Sequence, residues 1–153
     1  MREAGARTPD DPAPRPADAR ATRPRRAGST RILVVDDEPA IRSFIADGLR
    51  ASGYDVIVAA SGRDALAAVY ADTLTPALLL TDIEMPGMNG IELAARLRAD
   101  RPATRVVLMT AREASAARAR EREGLVEGVL LKPFGIAELL EVVLEAIGEP
   151  PAA

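Results

Sequence analysis

Ile32-Leu33-Val34-Val35-Asp36-Asp37-Glu38-Pro39 decides the fold. Four aliphatic residues in a row, three of them β-branched, read as a strand buried on both faces, and the acids that follow end it abruptly. Pro39 then stands where a helix tolerates proline, in the first turn, and Ile41, Phe44, Ile45 and Leu49 mark one apolar face at helical spacing. A buried strand running directly into an amphipathic helix is the opening unit of a parallel α/β sheet. Outward from there the same rhythm recurs. Ser52-Gly53 stops the first helix, Val56 to Ala59 gives a second strand, and Ser61-Gly62 opens a helix through Ala65, Leu66 and Val69. Pro76 ends that connection, and Ala77 to Thr81 is the third strand. The loop from Ile83 to Asn89 leads to a helix with Ile91, Ala94 and Leu97 inward. Val106 to Met109 is the fourth strand, Arg112 to Glu123 a helix, Val129 to Leu131 the fifth strand, and Ile136 to Ile147 the last helix. Five such units predict a doubly wound, flavodoxin-like parallel sheet in the order 2-1-3-4-5, with helices on both faces.

Composition limits what that sheet can do. The 153 residues include no Cys and no His, which excludes disulfides, thiolate nucleophiles, the usual zinc sites, Ser-His-Asp triads and phosphohistidine chemistry on this chain. No apolar run approaches the roughly 20 residues of a bilayer span, and the first 31 residues offer no signal-peptide h-region, so a cytoplasmic protein without membrane insertion is expected. Residues 1–31 hold eight Arg against four acids and no Val, Ile, Leu, Phe, Tyr or Trp, whereas the rest holds twelve bases against nineteen acids. Residues 1–30 are accordingly expected to be a disordered Pro/Arg/Ala-rich tail, 31–147 the folded domain and 148–153 a C-terminal tail. The acidic body argues against nucleic acid as its main ligand. Lys132 is the single lysine in the chain.

In open parallel sheets ligands bind beyond the carboxyl ends of the strands, where strand order reverses. Asp36, Asp37 and Glu38 follow the first strand, Asp82 the third, Thr110 the fourth and Lys132-Pro133 the fifth. In the expected order these ends are neighbours. Carboxylates crowded into one crevice repel, and a hard divalent cation with oxygen ligands, Mg²⁺ in particular, relieves that repulsion. Carboxylates, one Lys and one hydroxyl suit phosphoryl transfer, which depends on positioning and charge neutralisation, with an Asp as nucleophile.

Val34-Val35-Asp36-Asp37-Glu38-Pro39, Thr81-Asp82-Ile83-Glu84-Met85-Pro86-Gly87-Met88-Asn89-Gly90, Met109-Thr110-Ala111 and Leu131-Lys132-Pro133-Phe134 resemble the receiver domain of two-component response regulators. The resemblance covers residues 31–147. It implies that Asp82 accepts a phosphoryl group from a sensor histidine kinase or phosphotransfer protein. It further implies that Asp37, Asp82 and the backbone carbonyl of Glu84 ligate Mg²⁺, that Asp36 acts mainly through metal-bound water, and that Thr110 and Lys132 hold the phosphoryl oxygens. The Lys132-Pro133 bond is cis in that family. The chain then reads as a stand-alone, monomeric switch that signals to an unknown downstream protein and has no DNA-binding domain. Helix 1 and the loop after Lys132, with Ser43, Asp47 and Phe134, are expected kinase contacts.

Two departures stand out. Val129 occupies the position where the family commonly has a Tyr or Phe that swings with the Thr, a motion a β-branched aliphatic does not reproduce. The segment 112–123 has only alanines as apolar residues, a weak anchor that predicts a loosely docked helix. Glu84 and Arg112, flanking the site, are expected to pair across its opening. Two other readings stay open: a Mg²⁺-dependent phosphatase of the haloacid dehalogenase type, which needs a second Asp where Glu84 stands, and a degenerate receiver that serves only as a docking module.

Overall fold

The computed structural model describes residues 30–71, 75–122 and 124–150. Residues 1–29 of the expected N-terminal tail and 151–153 of the expected C-terminal tail lie outside these. Ten elements alternate: β1 (Arg31–Val35), α1 (Pro39–Ala51), β2 (Asp55–Ala59), α2 (Gly62–Ala71), β3 (Leu78–Asp82), α3 (Gly90–Asp100), β4 (Arg105–Thr110), α4 (Glu113–Arg120), β5 (Gly128–Leu131) and α5 (Ile136–Ile147). All strand pairings are parallel and the order is β2-β1-β3-β4-β5, as expected from the sequence.

Period-2 alternation distributes the aliphatic residues between two cores. Ile32, Val34, Leu78, Leu80, Val107 and Met109 pack beneath α1 and α5, against Ile45, Leu49, Leu139 and Val143. Leu33, Val35, Leu79, Val106 and Leu108 face the other way, onto Val69 of α2, Leu93 and Leu97 of α3 and Ala119 of α4. Each fully buried Leu or Ile contributes about 1.5–3 kcal/mol, which is why short strands of four to six residues suffice.

Several boundaries differ from the sequence expectation for identifiable reasons. β1 and β2 each begin one residue earlier, at Arg31 and Asp55, because these two are register partners tied by a 2.8 Å bond from Arg31 Nε to Asp55 Oδ2. The pairing of charges replaces the apolar signal there. Asp82 and Thr110 are the last residues of β3 and β4 rather than the first of the loops, so the sheet ladder itself fixes them. α4 is shorter than the 112–123 segment, ending at Arg120 with Glu121 as its C-cap, and Gly124 lies in the left-handed region at φ 83° shortly beyond.

Candidate functional site

β1, β3, β4 and β5 deliver their C-terminal residues to one edge of the sheet. Val35 pairs with Thr81, Asp82 with Met109 and Thr110 with Leu131, so Asp36, Asp82, Thr110 and Lys132 converge in the order expected. One carboxylate oxygen from each of Asp36, Asp37 and Asp82 lies within 4.8 Å of the other two. Asp36 is fully buried and Asp82 is 5% exposed, whereas Asp37 faces solvent. An open pocket of about 290 Å³ is lined by Asp37, Glu38, Asp82, Glu84, Ala111, Arg112 and Lys132.

Lys132 Nζ is the hub. It donates to Asp36 Oδ2 at 2.9 Å and stands 3.5 Å from Asp82 Oδ1 and 3.6 Å from Glu38 Oε1. The bond between Lys132 and Pro133 is cis, and Lys132 N donates to Thr110 O at 2.8 Å, which fixes the backbone from which the side chain projects. The other oxygen of Asp36 accepts the Glu38 amide at 2.9 Å, and Arg42 of α1 donates to the Asp36 carbonyl at 2.6 Å. Both Asp36 oxygens are thus engaged.

The charges do not balance. Burial pushes the Asp82 carboxyl from its ordinary 3.8 to about 6; Lys132 opposes the rise, and the charges of Asp36 and Glu84 add to it. Burial alone would lower the Lys132 pKa, but its hydrogen bond to Asp36 and the charges of Asp82, Asp36 and Glu38 raise it instead, so it stays an ammonium. Lys132 is the one cation among the described residues within ion-pair distance of Asp36, Glu38 and Asp82, which leaves an excess of negative charge at their carboxylates.

The loop that follows β3 is shaped around Asp82. Gly90 N donates to Ile83 O at 2.9 Å, and a Cβ on Gly90 would lie 2.1 Å from the Asp82 carbonyl oxygen, so only glycine fits against that backbone. Asn89 closes the loop with a reciprocal cap. Its Oδ1 accepts the Glu92 amide at 2.9 Å while Glu92 Oε1 accepts the Asn89 amide at 3.1 Å. This capping box, spelled Asn89-x-x-Glu92, was available in the sequence and is a feature the motif reading passes over.

One expected contact is not made. Glu84 and Arg112 form no ion pair among the described residues. Glu84 Oε1 instead accepts the Thr110 hydroxyl at 2.8 Å, and the Arg112 backbone amide donates to the same Thr110 Oγ1 at 3.0 Å. A buried hydroxyl at the end of β4 is a nearer partner for the carboxylate than an exposed guanidinium, whose ordering costs side-chain entropy. Val129 lies in β5 beside Leu108 and packs, half-buried, against the α2–α4 core. Ser43 and Asp47 are exposed on α1, while Phe134 is half-buried against the α1–α5 core. No described helix is long and apolar enough to cross a membrane.

Residues 32–144 match the response regulator receiver domain family. The chain is 40% identical over 114 residues to the transcriptional regulatory protein TcrA of Mycobacterium tuberculosis, covering 74% of this chain and 44% of that protein. It is 38% identical to the DNA-binding response regulator MtrA of Mycolicibacterium smegmatis, covering 72% of this chain and 47% of that one. The chain therefore spans less than half the length of these curated relatives. Among solved structures, the response regulator protein TrrA of Thermotoga maritima in complex with Mg(2+)-BeF superposes with a TM-score of 0.66 at 33% identity, covering 76% of this chain and 98% of that one.

Proposed function

The chain belongs to the response regulator receiver domain family of two-component signal transduction, and we propose that Asp82 is its phosphoacceptor. The observation that carries this reading is the placement of Asp82 Oδ1 3.5 Å from Lys132 at the mouth of the pocket, where Asp36 and Asp37 crowd it. An Asp82 pKa of about 6 leaves the carboxylate ionised at neutral pH, as a nucleophile must be.

The donor is a phosphohistidine on a sensor histidine kinase or phosphotransfer protein, since this chain has no histidine. An Asp82 carboxylate oxygen forms a bond to phosphorus as the donor's N–P bond breaks, and the imidazole nitrogen leaves with the electron pair. Lys132 pairs with one phosphoryl oxygen and the Thr110 hydroxyl donates to another. The excess of carboxylates over cations fits Mg²⁺: Asp36, Asp37 and Asp82 form an oxygen cluster that would hold it, and by the family resemblance the Glu84 carbonyl would complete the protein ligands, with Asp36 contributing less directly than Asp37 and Asp82. A bound Mg²⁺ would neutralise charge on the phosphoryl oxygens. Asp36 has a second task, because its bonds to Lys132 and to the Glu38 amide orient the ammonium toward Asp82. The protein works in the cytoplasm as a phosphorylation-dependent switch rather than an enzyme with an external substrate. Family membership argues against the phosphatase reading, and the intact Asp82, Thr110 and Lys132 set argues against a docking module that never takes phosphate.

Incubation with acetyl phosphate and Mg²⁺ tests this directly. Intact-mass analysis is expected to show one phosphoryl group on the wild type and none on Asp82→Asn. Equal labelling of both, or labelling of neither, overturns the assignment.

A further inference from the structure

We propose that the Glu84 side chain is a positioning residue: it holds the Thr110 hydroxyl in a latch that phosphorylation must break, and the break is passed to the start of α4. This rests on Asp82 being the phosphoacceptor. Thr110 is fully buried, and its hydroxyl has one proton and a limited set of lone pairs. The proton is donated to Glu84 Oε1 at 2.8 Å, and the oxygen accepts from Arg112 N at 3.0 Å. Thr110 therefore has no proton to offer a phosphoryl group until it leaves Glu84.

The same event that recruits Thr110 repels Glu84. Its carboxylate is close enough for its charge to be felt at Asp82, and an acyl phosphate carries roughly two negative charges there, farther out into the pocket, where the carboxylate carried one. Glu84 borders the open pocket and has solvent to move into. Phosphorylation thus pulls the hydroxyl and pushes its holder.

The Arg112 amide converts this exchange into movement at a distance. Arg112 is the N-cap of α4 and makes no side-chain cap, so its bond to Thr110 Oγ1 is a tie between the helix start and the site. α4 buries only Ala116 and Ala119, a small apolar area that anchors it weakly. When Thr110 rotates toward phosphorus, the Arg112 amide either follows it or loses its partner. Either way the first turn of α4 shifts. The route passes around Val129, whose restricted χ1 bars the rotation an aromatic side chain would make there.

The test uses beryllofluoride with Mg²⁺ as the phosphoryl mimic, on the full chain, in a double-mutant cycle over Glu84→Ala and Thr110→Val. Replacing the Glu84 side chain keeps its backbone carbonyl. Glu84→Ala is expected to bind beryllofluoride about tenfold more tightly than the wild type, the equivalent of one hydrogen bond to a charged group. Glu84→Gln, which keeps an acceptor without the charge, is expected to fall between. In the Thr110→Val background the gain from Glu84→Ala should shrink to about twofold or less. No gain in the Thr110-containing background, or an equal gain in both, overturns the latch. The wild type serves as the control for the underlying reading: failure of acetyl phosphate to label Asp82 there defeats the phosphoacceptor assignment, whereas labelling without any effect at Glu84 defeats only the latch.

Discussion

Asp82→Asn should make the metal-free protein more stable at neutral pH, and the size of the gain follows from the pocket. Burial, with Asp36 and Glu84 adding their charge and Lys132 only partly compensating, raises this carboxyl from 3.8 to about 6. Between about pH 4 and 6 the folded chain keeps a proton on Asp82 that the unfolded chain has released, so stability falls as pH rises through that window. Above it, Asp82 is ionised in both states and the full penalty is present. At 1.36 kcal/mol for each pH unit the limit is about 3 kcal/mol, and solvent entering the open mouth of the pocket reduces this to about 1.5–3 kcal/mol. Asn has nearly the same shape and no charge, which removes the penalty at every pH. Urea unfolding of both proteins in the presence of a chelator, from pH 4.5 to 8, measures the difference, and other titrating groups cancel in the subtraction. The variant is expected to be more stable above pH 6.5, with the gap closing toward pH 4. A variant less stable than the wild type at pH 7.5, or a gap that does not change with pH, would refute the assignment of uncompensated charge at Asp82.

Mg²⁺ at millimolar concentration should raise the melting midpoint of the wild type at pH 7.5 and raise it less at pH 5, where the proton on Asp82 competes with the cation; Asp37→Asn should blunt the response at both. Gly90→Ala, whose methyl would press on the Asp82 carbonyl, is expected to cost roughly 2–4 kcal/mol in urea unfolding. Gly48→Ala should cost less than about 1 kcal/mol, because the atom it meets is Ile136 Cδ1, the end of a flexible and partly exposed side chain, and alanine favours the helix. Backbone amides of α4 should exchange faster than those of α3 and α5, and unchanged strong protection across 113–120 would contradict the weak anchoring inferred from its two buried alanines.

The strand order and the four converging strand ends were legible because each depended on local chemistry. Ile32 to Val35 is apolar at every position, as a strand covered on both faces requires, and the acids after it mark where the sheet meets water. What was not legible depends on partners far apart in the chain. Arg31 and Asp55 extend their strands by pairing across 24 residues, a relation no periodicity reveals. Glu84 and Thr110 meet across 26 residues, and position alone pointed to Arg112 as the partner for Glu84. A buried hydroxyl with a proton to donate wins over an exposed guanidinium, and that contest becomes visible only once burial is known.

The site and the sheet make opposite demands on the same strands. Asp36 directly follows β1, and β3 and β4 end on Asp82 and Thr110, all three buried at the edge of cores made almost wholly of aliphatic carbon. Three carboxylates gathered there cost the folded state energy that, among the described residues, Lys132 offsets by ion pairs with Asp36 and Asp82. A chain selected for stability alone would place amides or apolar residues at those ends. Keeping the charge leaves the folded protein with an unmet need for cations, and a divalent ion together with an incoming phosphoryl group changes that balance more than any single side-chain contact in the fold. With Asp82 proposed as the phosphoacceptor, the unmodified pocket is electrostatically incomplete at the point where the phosphoryl group would arrive, and Glu84 and the first turn of α4, both joined to the site through the Thr110 hydroxyl, are the parts that the proposed latch would move.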